Sequence, residues 1–421
     1  MHVRNIQITR PDPRQPRVRL QALVSYDRHA KDEVYWLEVP DSMAHQLSLT
    51  GNPWLLAMLP IAATFGEPLR IDAPVDPTLL QGAREILNIW SSWDLGLHNA
   101  DLDVETDSAD QGSPPDSYTD NRLSAAFFSG GVDSFFTVLQ LLETEEALDE
   151  LIFIAGFDRH LHQARALQQM TRKIAQAANE LGLPAHTVTT NLRQTLWGDT
   201  SWSFVAHGCA TAFIALALEP RYRQMYLAAS VDSVEHEYDT DKNGDLNPWG
   251  SHPEVDPLFS SSHMRFIHHG AETGRFEKMR KIAVHPAVQR HLSVCYQSKD
   301  GRNCGHCSKC LIATAMLDTL GGYEQATCFD NDPAYTGRLQ RLRVEDPGDI
   351  GQISELLDAA AAAGRTQLAT VASDVVTRSL RPWNRAHYEA TRRLMLWAPH
   401  IRGLLRRLHL KGFASDQEQP L

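Results

Sequence analysis

The stretch Leu123–Leu142, LSAAFFSGGVDSFFTVLQLL, constrains the fold of this chain more than any other. Its first six residues are apolar and rich in Phe and Ala, as in a strand buried on both faces of a parallel sheet. From Ser134 onward, Phe135, Val138, Leu139 and Leu142 recur at helical spacing. Between the two lie Ser129, Gly130, Gly131, Val132, Asp133 and Ser134. A strand that turns through two glycines directly into a helix gathers unpaired backbone N–H groups at a positive helix end, and such a nest suits a phosphate. The glycines allow close approach of the ligand, the serine hydroxyls add donors, and Asp133 can hold a Mg²⁺ on the phosphates. The alternative is a plain glycine turn that binds nothing; the strand before and the helix after favour nucleotide.

Strand and helix patterns alternate after this point. Leu151–Phe157 (LIFIAGF), His186–Thr190 and Met225–Val231 read as further strands. A helix through Leu167–Leu181 and a buried helix over Ser203–Leu218 lie between them. Such alternation predicts an α/β fold with a parallel, Rossmann-like sheet. Ligands of these sheets sit beyond the carboxyl ends of the strands, where Ser129–Ser134, Gly156–His160 and Ser230–Ser233 would converge.

The flanks differ. Val3–Ile8, Val18–Tyr26 and Glu33–Val39 read as short strands, Asn52–Phe65 as a helix broken by Pro53 and Pro60, Leu69–Ile71 as a returning strand, and Pro77–Trp93 as an amphipathic helix. Trp90 and Trp93 read as core or domain-interface aromatics, with a base-binding pocket as the alternative. The expected organisation is a small β-rich N-terminal domain over 1–105, a polar linker over 106–121, a nucleotide-binding domain over 122–325 and a helical region over 326–421. Ile353–Arg365, Thr366–Leu380 and Ala386–Leu410 are its expected helices. The last carries five arginines among Leu and Trp; it reads as packed by its Leu face, with an acidic partner, RNA or a membrane surface as alternatives. Asp239–Asp245 imitates the start of a calcium loop, but Gly250 stands where the pattern requires a bidentate Glu, so calcium is not expected. Residues 232–263 read instead as a lid or a surface loop.

Cys295, Cys304, Cys307 and Cys310 form a C-x8-C-x2-C-x2-C run. Thiolates two residues apart on a tight turn, which Gly305 favours, can reach one ion at ~2.3 Å, and four close a tetrahedral shell. The pattern predicts a structural zinc site, with an iron–sulfur cluster as the rival. Cys209 reads as a core residue, Cys328 lies outside the run, and His306 reads as an exposed turn histidine.

The chain of 421 residues has a formal charge of −12, which repels phosphate backbones and argues against nucleic acid as main partner. No apolar run reaches the ~20 residues of a membrane span, and the first 20 residues show no secretory signal. A cytoplasmic location is expected, where cysteines serve as metal ligands or core residues rather than disulfides.

The loop lacks the Lys of a Walker A motif. The SGGVDS hexapeptide instead resembles the PP-loop of the ATP pyrophosphatase superfamily. With the cysteine spacing and the Gly156-Phe-Asp-Arg159-His160 run, residues Leu123–Leu320 resemble the 7-cyano-7-deazaguanine synthases. The resemblance implies ATP held by Ser129, Gly130, Gly131, Val132, Asp133 and Ser134, with Asp133, Ser134 and Arg159 as catalytic residues. It also implies Mg²⁺, and Zn²⁺ on Cys295, Cys304, Cys307 and Cys310. The implied reaction adenylates a small deazapurine-like carboxylate with release of pyrophosphate; ammonia or an amine then displaces AMP to give an amide or nitrile. Three departures stand out: Arg275-Phe-Glu277-Lys278 in place of a Lys-x-Glu step, Ser230-Val-Asp232-Ser233 at the fourth strand end, and the two long flanks. They point to a specialised biosynthetic or antiphage-defence paralogue, for which a protein acceptor is a further option. The alternatives are a tRNA-modifying PP-loop enzyme, thiolase or ligase, and a non-catalytic nucleotide-binding subunit of a larger assembly. Arg275, Glu277 and Lys278 read equally as ligand contacts and as solvated helix charges.

Overall fold

The computed structural model describes residues 1–29, 31–93, 95–106, 121–144, 146, 148–230, 248–298, 300–388 and 390–391. Most of the 106–121 linker, the Asp239–Asp245 segment, Val231–Ser233 and the greater part of the Ala386–Leu410 helix lie outside these residues.

Ten strands form one sheet among the described residues: β1 (His2–Thr9), β2 (Arg17–Ser25), β3 (Glu33–Pro40), β4 (Leu69–Val75), β5 (Leu102–Thr106), β6 (Leu123–Phe127), β7 (Glu150–Ala155), β8 (Ala185–Thr190), β9 (Tyr222–Ala228) and β10 (Arg265–His269), in the order β10-β9-β6-β7-β8-β3-β2-β1-β4-β5. The central strands β10, β9, β6, β7 and β8 are parallel throughout. The helices between them supply the crossovers that parallel pairing needs: α3 (Val132–Glu143), α4 (Ala164–Glu180) and α5 (His207–Ala217).

The N-terminal strands do not close a sheet of their own. β3 pairs antiparallel with β8 through Leu37↔Thr190 and Glu38↔Thr189. Side chains fasten this seam: Trp36 N–H donates to Asn191 Oδ1 at 2.8 Å, Asn191 Nδ2 donates to Val34 O at 2.8 Å, and Thr190 Oγ1 donates to Trp36 O at 2.7 Å. The β-rich first third expected as a separate small domain is therefore continuous with the central sheet. Pairing with β8 covers what would otherwise be an open edge, which exposes unpaired backbone groups.

Alternation along the strands loads both faces. Ala125, Phe127 and Ile152 enter one apolar cluster with α1 (Asn52–Phe65), α2 (Pro77–Ser92) and α5. Ala126, Phe128, Leu151 and Phe153 enter the other with α3, α4, α6 (Arg275–Ile282), α7 (Pro286–His291), α8 (Ser308–Thr319), α9 (Tyr335–Arg341), α10 (Pro347–Ala362) and α11 (Thr366–Ser379). Period-2 alternation thus serves two helical layers. The expected break of α1 at its prolines does not occur. Pro53 sits in the first turn, where no N–H is needed, and Pro60 is carried inside a helix buried along its whole length. The helix expected over Ser203–Leu218 begins only at His207; before it, Trp202–Ala206 forms one wide turn in which Ala206 N–H donates to Ser201 O at 3.0 Å.

Candidate functional site

The loop Ser129–Ser134 joins β6 to α3. Gly130 adopts φ +77°, in the left-handed region that favours glycine, and a Cβ there would stand 3.3 Å from Ile174 Cδ1. Gly131 caps α3 with extended backbone and no side-chain acceptor on the first-turn N–H groups. Within the loop, Ser134 Oγ donates to Gly131 O at 3.1 Å, and Ser129 Oγ accepts from Gly131 N–H at 3.4 Å.

A cavity of about 270 Å³ opens on this loop beyond the carboxyl ends of the strands. Ser129, Gly131, Val132, Asp133 and Ser134 line it on one side, Asp158 and Arg159 after β7 on another, Ser230 after β9, and Arg275 at the start of α6. The three strand-end segments expected to meet do so, as far as each is described; Gly130 supplies the turn behind the lining. Val231, Asp232 and Ser233 lie outside the described residues.

Asp133, expected as a Mg²⁺ ligand, is ion-paired in this structure: its carboxylate lies 2.9 Å from Arg275 Nη2 and 3.4 Å from Lys278 Nζ. Lys278 is buried and also donates to Ala229 O at 2.7 Å. Burial opposes the charge on Arg275, but Asp133, with Tyr296 and Asp349, together outweigh it, so its guanidinium is held firmly cationic. Its Nε is buried without a hydrogen-bond partner. Glu277, by contrast, faces solvent and pairs with Arg280. Of the three charges left ambiguous in sequence, Arg275 and Lys278 therefore belong to the site and Glu277 does not.

Arg159 lines the cavity, is buried, and donates from Nη2 to Cys295 O at 2.8 Å. It ties the β7 end to the cysteine segment. That segment also forms cavity wall through Ser293, Val294, Cys295 and Tyr296, and Ser293 N–H donates to Gly130 O at 2.8 Å.

The four cysteines come together behind this wall. Their Sγ atoms all lie within 4.8 Å of one another, with Cys304–Cys310 at 3.9 Å and Cys295–Cys307 at 4.0 Å. A tetrahedron with ~2.3 Å metal–sulfur bonds has edges of ~3.8 Å, so the set fits one metal ion such as zinc. Backbone donors are arranged for thiolates: Ser298 N–H reaches Cys295 Sγ at 3.3 Å, and His306 and Cys307 N–H reach Cys304 Sγ at 3.4 Å. Gly305 at φ +69° makes the turn. Cys209 is buried in α5 with its thiol pushed up by burial, and Cys328 stays outside the cluster, raised by burial to about 12. Trp90 is core, and Trp93 packs edge-on against His252, ring centroids 5.2 Å apart; neither lines the cavity.

Sequence reasoning did not single out Lys309, Trp202 or His207, which also line the cavity. Lys309 sits inside the Cys307–Cys310 turn with Nζ 4.0 Å from the centre of the Tyr296 ring. Its place between two cysteines of the cluster was the available signal. Trp202 and His207 had none, because the wide turn that aims them is not visible as a pattern. Arg159, Arg275 and Lys309 against Asp133 and Asp158 give the lining a positive excess on a chain of net charge −12. Comparison with protein-family profiles, with curated proteins and with solved structures finds no match to this chain.

Proposed function

We propose that this protein is an ATP-dependent, AMP- and pyrophosphate-forming ligase or synthase that adenylates a small carboxylate and passes the acyl group to ammonia or an amine. The supporting observation is the glycine nest at the β6–α3 junction, opening into a cavity lined by Arg275, whose Nε is buried without a hydrogen-bond partner. An unsatisfied charged donor beside a helix N-terminus calls for an anion of high charge density.

In this reading the first-turn N–H groups of α3 and the Ser129 and Ser134 hydroxyls bind the phosphates, and Arg275 takes the charge that develops on the leaving pyrophosphate. Asp133 holds Arg275 and Lys278 in place. Arg159 carries positive charge to the opposite wall, near the acyl phosphate. A carboxylate oxygen leaves poorly and AMP leaves well, so activation must precede amide formation. The residues supply mainly positioning and charge complementarity. The four cysteines hold zinc as a structural ion, since all four positions of the shell are filled by protein. A deazapurine carboxylate is the substrate class suggested by the resemblance.

The test is pyrophosphate–ATP isotope exchange by the full chain with Mg²⁺ and 7-carboxy-7-deazaguanine, followed by mass spectrometry with ammonium present. Exchange that depends on the acid, and an amide or nitrile product, are expected. Exchange absent with this acid and with a panel of aromatic carboxylates would refute the adenylation.

A further inference from the structure

Phe157, Trp202, His207 and Thr211 line the same cavity as the phosphate nest. His207 opens α5 immediately after the wide turn Trp202–Ala206. That turn brings one carbonyl, Trp202 O, within reach of both the backbone N–H of His207 and its Nδ1, the latter at 3.1 Å. A carbonyl oxygen only accepts, so Nδ1 carries the proton. Nε2 is then left with a lone pair. Trp202 also packs on the imidazole, with ring centroids 5.9 Å apart, and Arg193 Cζ lies 4.5 Å from the centre of the same Trp202 ring. The orientation is therefore fixed from two sides. One-turn widenings of this kind recur where a helix must aim a side chain.

We infer that His207 is the base of the second half-reaction: its Nε2 takes the proton that an attacking amine must lose as the amine nitrogen displaces AMP from the acyl-adenylate. The inference rests on the adenylation reading above. The balance closes without a further reactant. The nitrogen lone pair forms the C–N bond, the C–O bond to AMP breaks with its electron pair, and the proton passes to Nε2. Burial lowers the imidazole below the ordinary histidine value, which keeps the lone pair free at neutral pH. Asp256, from the loop before β10, and Asp158, after β7, oppose that shift, while His268 on β10 reinforces it. Asp256 is itself held by the His268 ring, 2.7 Å from Nδ1, and by the Ser251 hydroxyl at 2.6 Å.

The experiment uses the full chain with ATP, Mg²⁺ and 7-carboxy-7-deazaguanine, comparing wild type with His207→Asn and His207→Gln. Asn can still donate to the Trp202 carbonyl but offers no base. Ammonium and hydroxylamine serve as nitrogen sources; only the free-base form of either attacks, and the adduct nitrogen of hydroxylamine, being the more acidic, gives up its proton to water more readily than that of ammonia. With ammonium, product formation is expected to fall by about 10²- to 10⁴-fold in both variants, the range of a general base. Pyrophosphate exchange should fall less than about threefold, since it reports only the first half-reaction. The hydroxylamine product should fall far less than the ammonium product. The wild-type ammonium rate should rise with pH through a value below that of a free histidine, and this limb should vanish in the variants. A parallel loss of exchange and both products would mean a structural role and overturn the inference, as would an unchanged ammonium rate or an unaltered pH profile. Wild-type exchange with no product from either nitrogen source also overturns it. No exchange at all refutes the adenylation reading itself, and this inference with it.

Discussion

Stripping a metal from the four cysteines should cripple nucleotide binding, although only Cys295 among them reaches the cavity wall. The connection is two hydrogen bonds. Ser293 N–H donates to Gly130 O at 2.8 Å, and Arg159 Nη2 donates to Cys295 O at 2.8 Å. Both partners on the cysteine side stand at one end of the segment that a metal on the four cysteines would close. Asn303 braces that end by bonding Val294 N–H, Leu292 O and Cys328 O. A neutral backbone bond contributes ~0.5–1.5 kcal/mol and one from a charged donor ~1.5–3 kcal/mol. If the segment unravels without its ion, the nest loses both bonds, about 2–4.5 kcal/mol of what holds it in its binding form. At ~1.4 kcal/mol per decade this lowers affinity by roughly 30- to 1,600-fold. The assay is calorimetric titration of the full chain with a non-hydrolysable ATP analogue, before and after chelation, with Mg²⁺ restored after the chelator is removed. Metal content is followed by mass spectrometry and fold by circular dichroism, and added Zn²⁺ should restore the affinity. Unchanged affinity at negligible metal content, with the fold intact, would refute the coupling.

Three other outcomes follow from the same structure. Cys307→Ser should lower metal content and thermal midpoint together, since one of four ligands is lost; a full metal load in that variant would remove Cys307 from the shell. Asp133→Ala should abolish nucleotide binding and also destabilise the fold by about 1–3 kcal/mol in urea titration, because it strips Arg275 and Lys278 of their shared carboxylate. The cost stays below that of a fully buried pair because the Asp133 side chain is 19% exposed, and an unchanged midpoint would show that Lys278 and Arg275 are satisfied without this carboxylate. Burial alone would raise Glu150, but His186, with Nε2 3.3 Å away, and hydrogen bonds from Arg221 and Tyr222 outweigh it and bring the carboxyl from 4.5 down to about 2. Its stabilisation is thus complete above pH 4.5 and lost as pH falls toward 2; Glu150→Gln should flatten the stability curve across that window, and an unchanged slope there would contradict the network.

What could be read from the residues, and what could not, divides along contact distance. The β6–loop–α3 unit was legible because a buried strand, two glycines and a periodic helix are local signals, and their boundaries moved by a residue or two. The cysteine cluster was legible for a related reason: three of its ligands lie within seven residues, so the turn geometry is written into the spacing. The N-terminal strands were also placed correctly one by one, but their union with the central sheet rests on β3 meeting β8, some 150 residues away, through Trp36 and Asn191. Neither residue carries a pattern that names the other. The same limit applied to Asp133. Its local setting is that of a metal ligand, whereas its partners Arg275 and Lys278 arrive from a helix 140 residues downstream.

That last contact changes how the loop works. A carboxylate free to ligate Mg²⁺ would make the nest depend on an added ion for its charge. A carboxylate already bound to two cations instead makes the nest carry protein charge of its own. Asp133 spends its charge on fixing Arg275, and the guanidinium keeps one donor, Nε, unused. The uncompensated donor is then a property of the pair, so Arg275→Lys should fail to replace it even though the charge is kept: a lysine ammonium has no second, rigidly placed N–H once it has turned to Asp133.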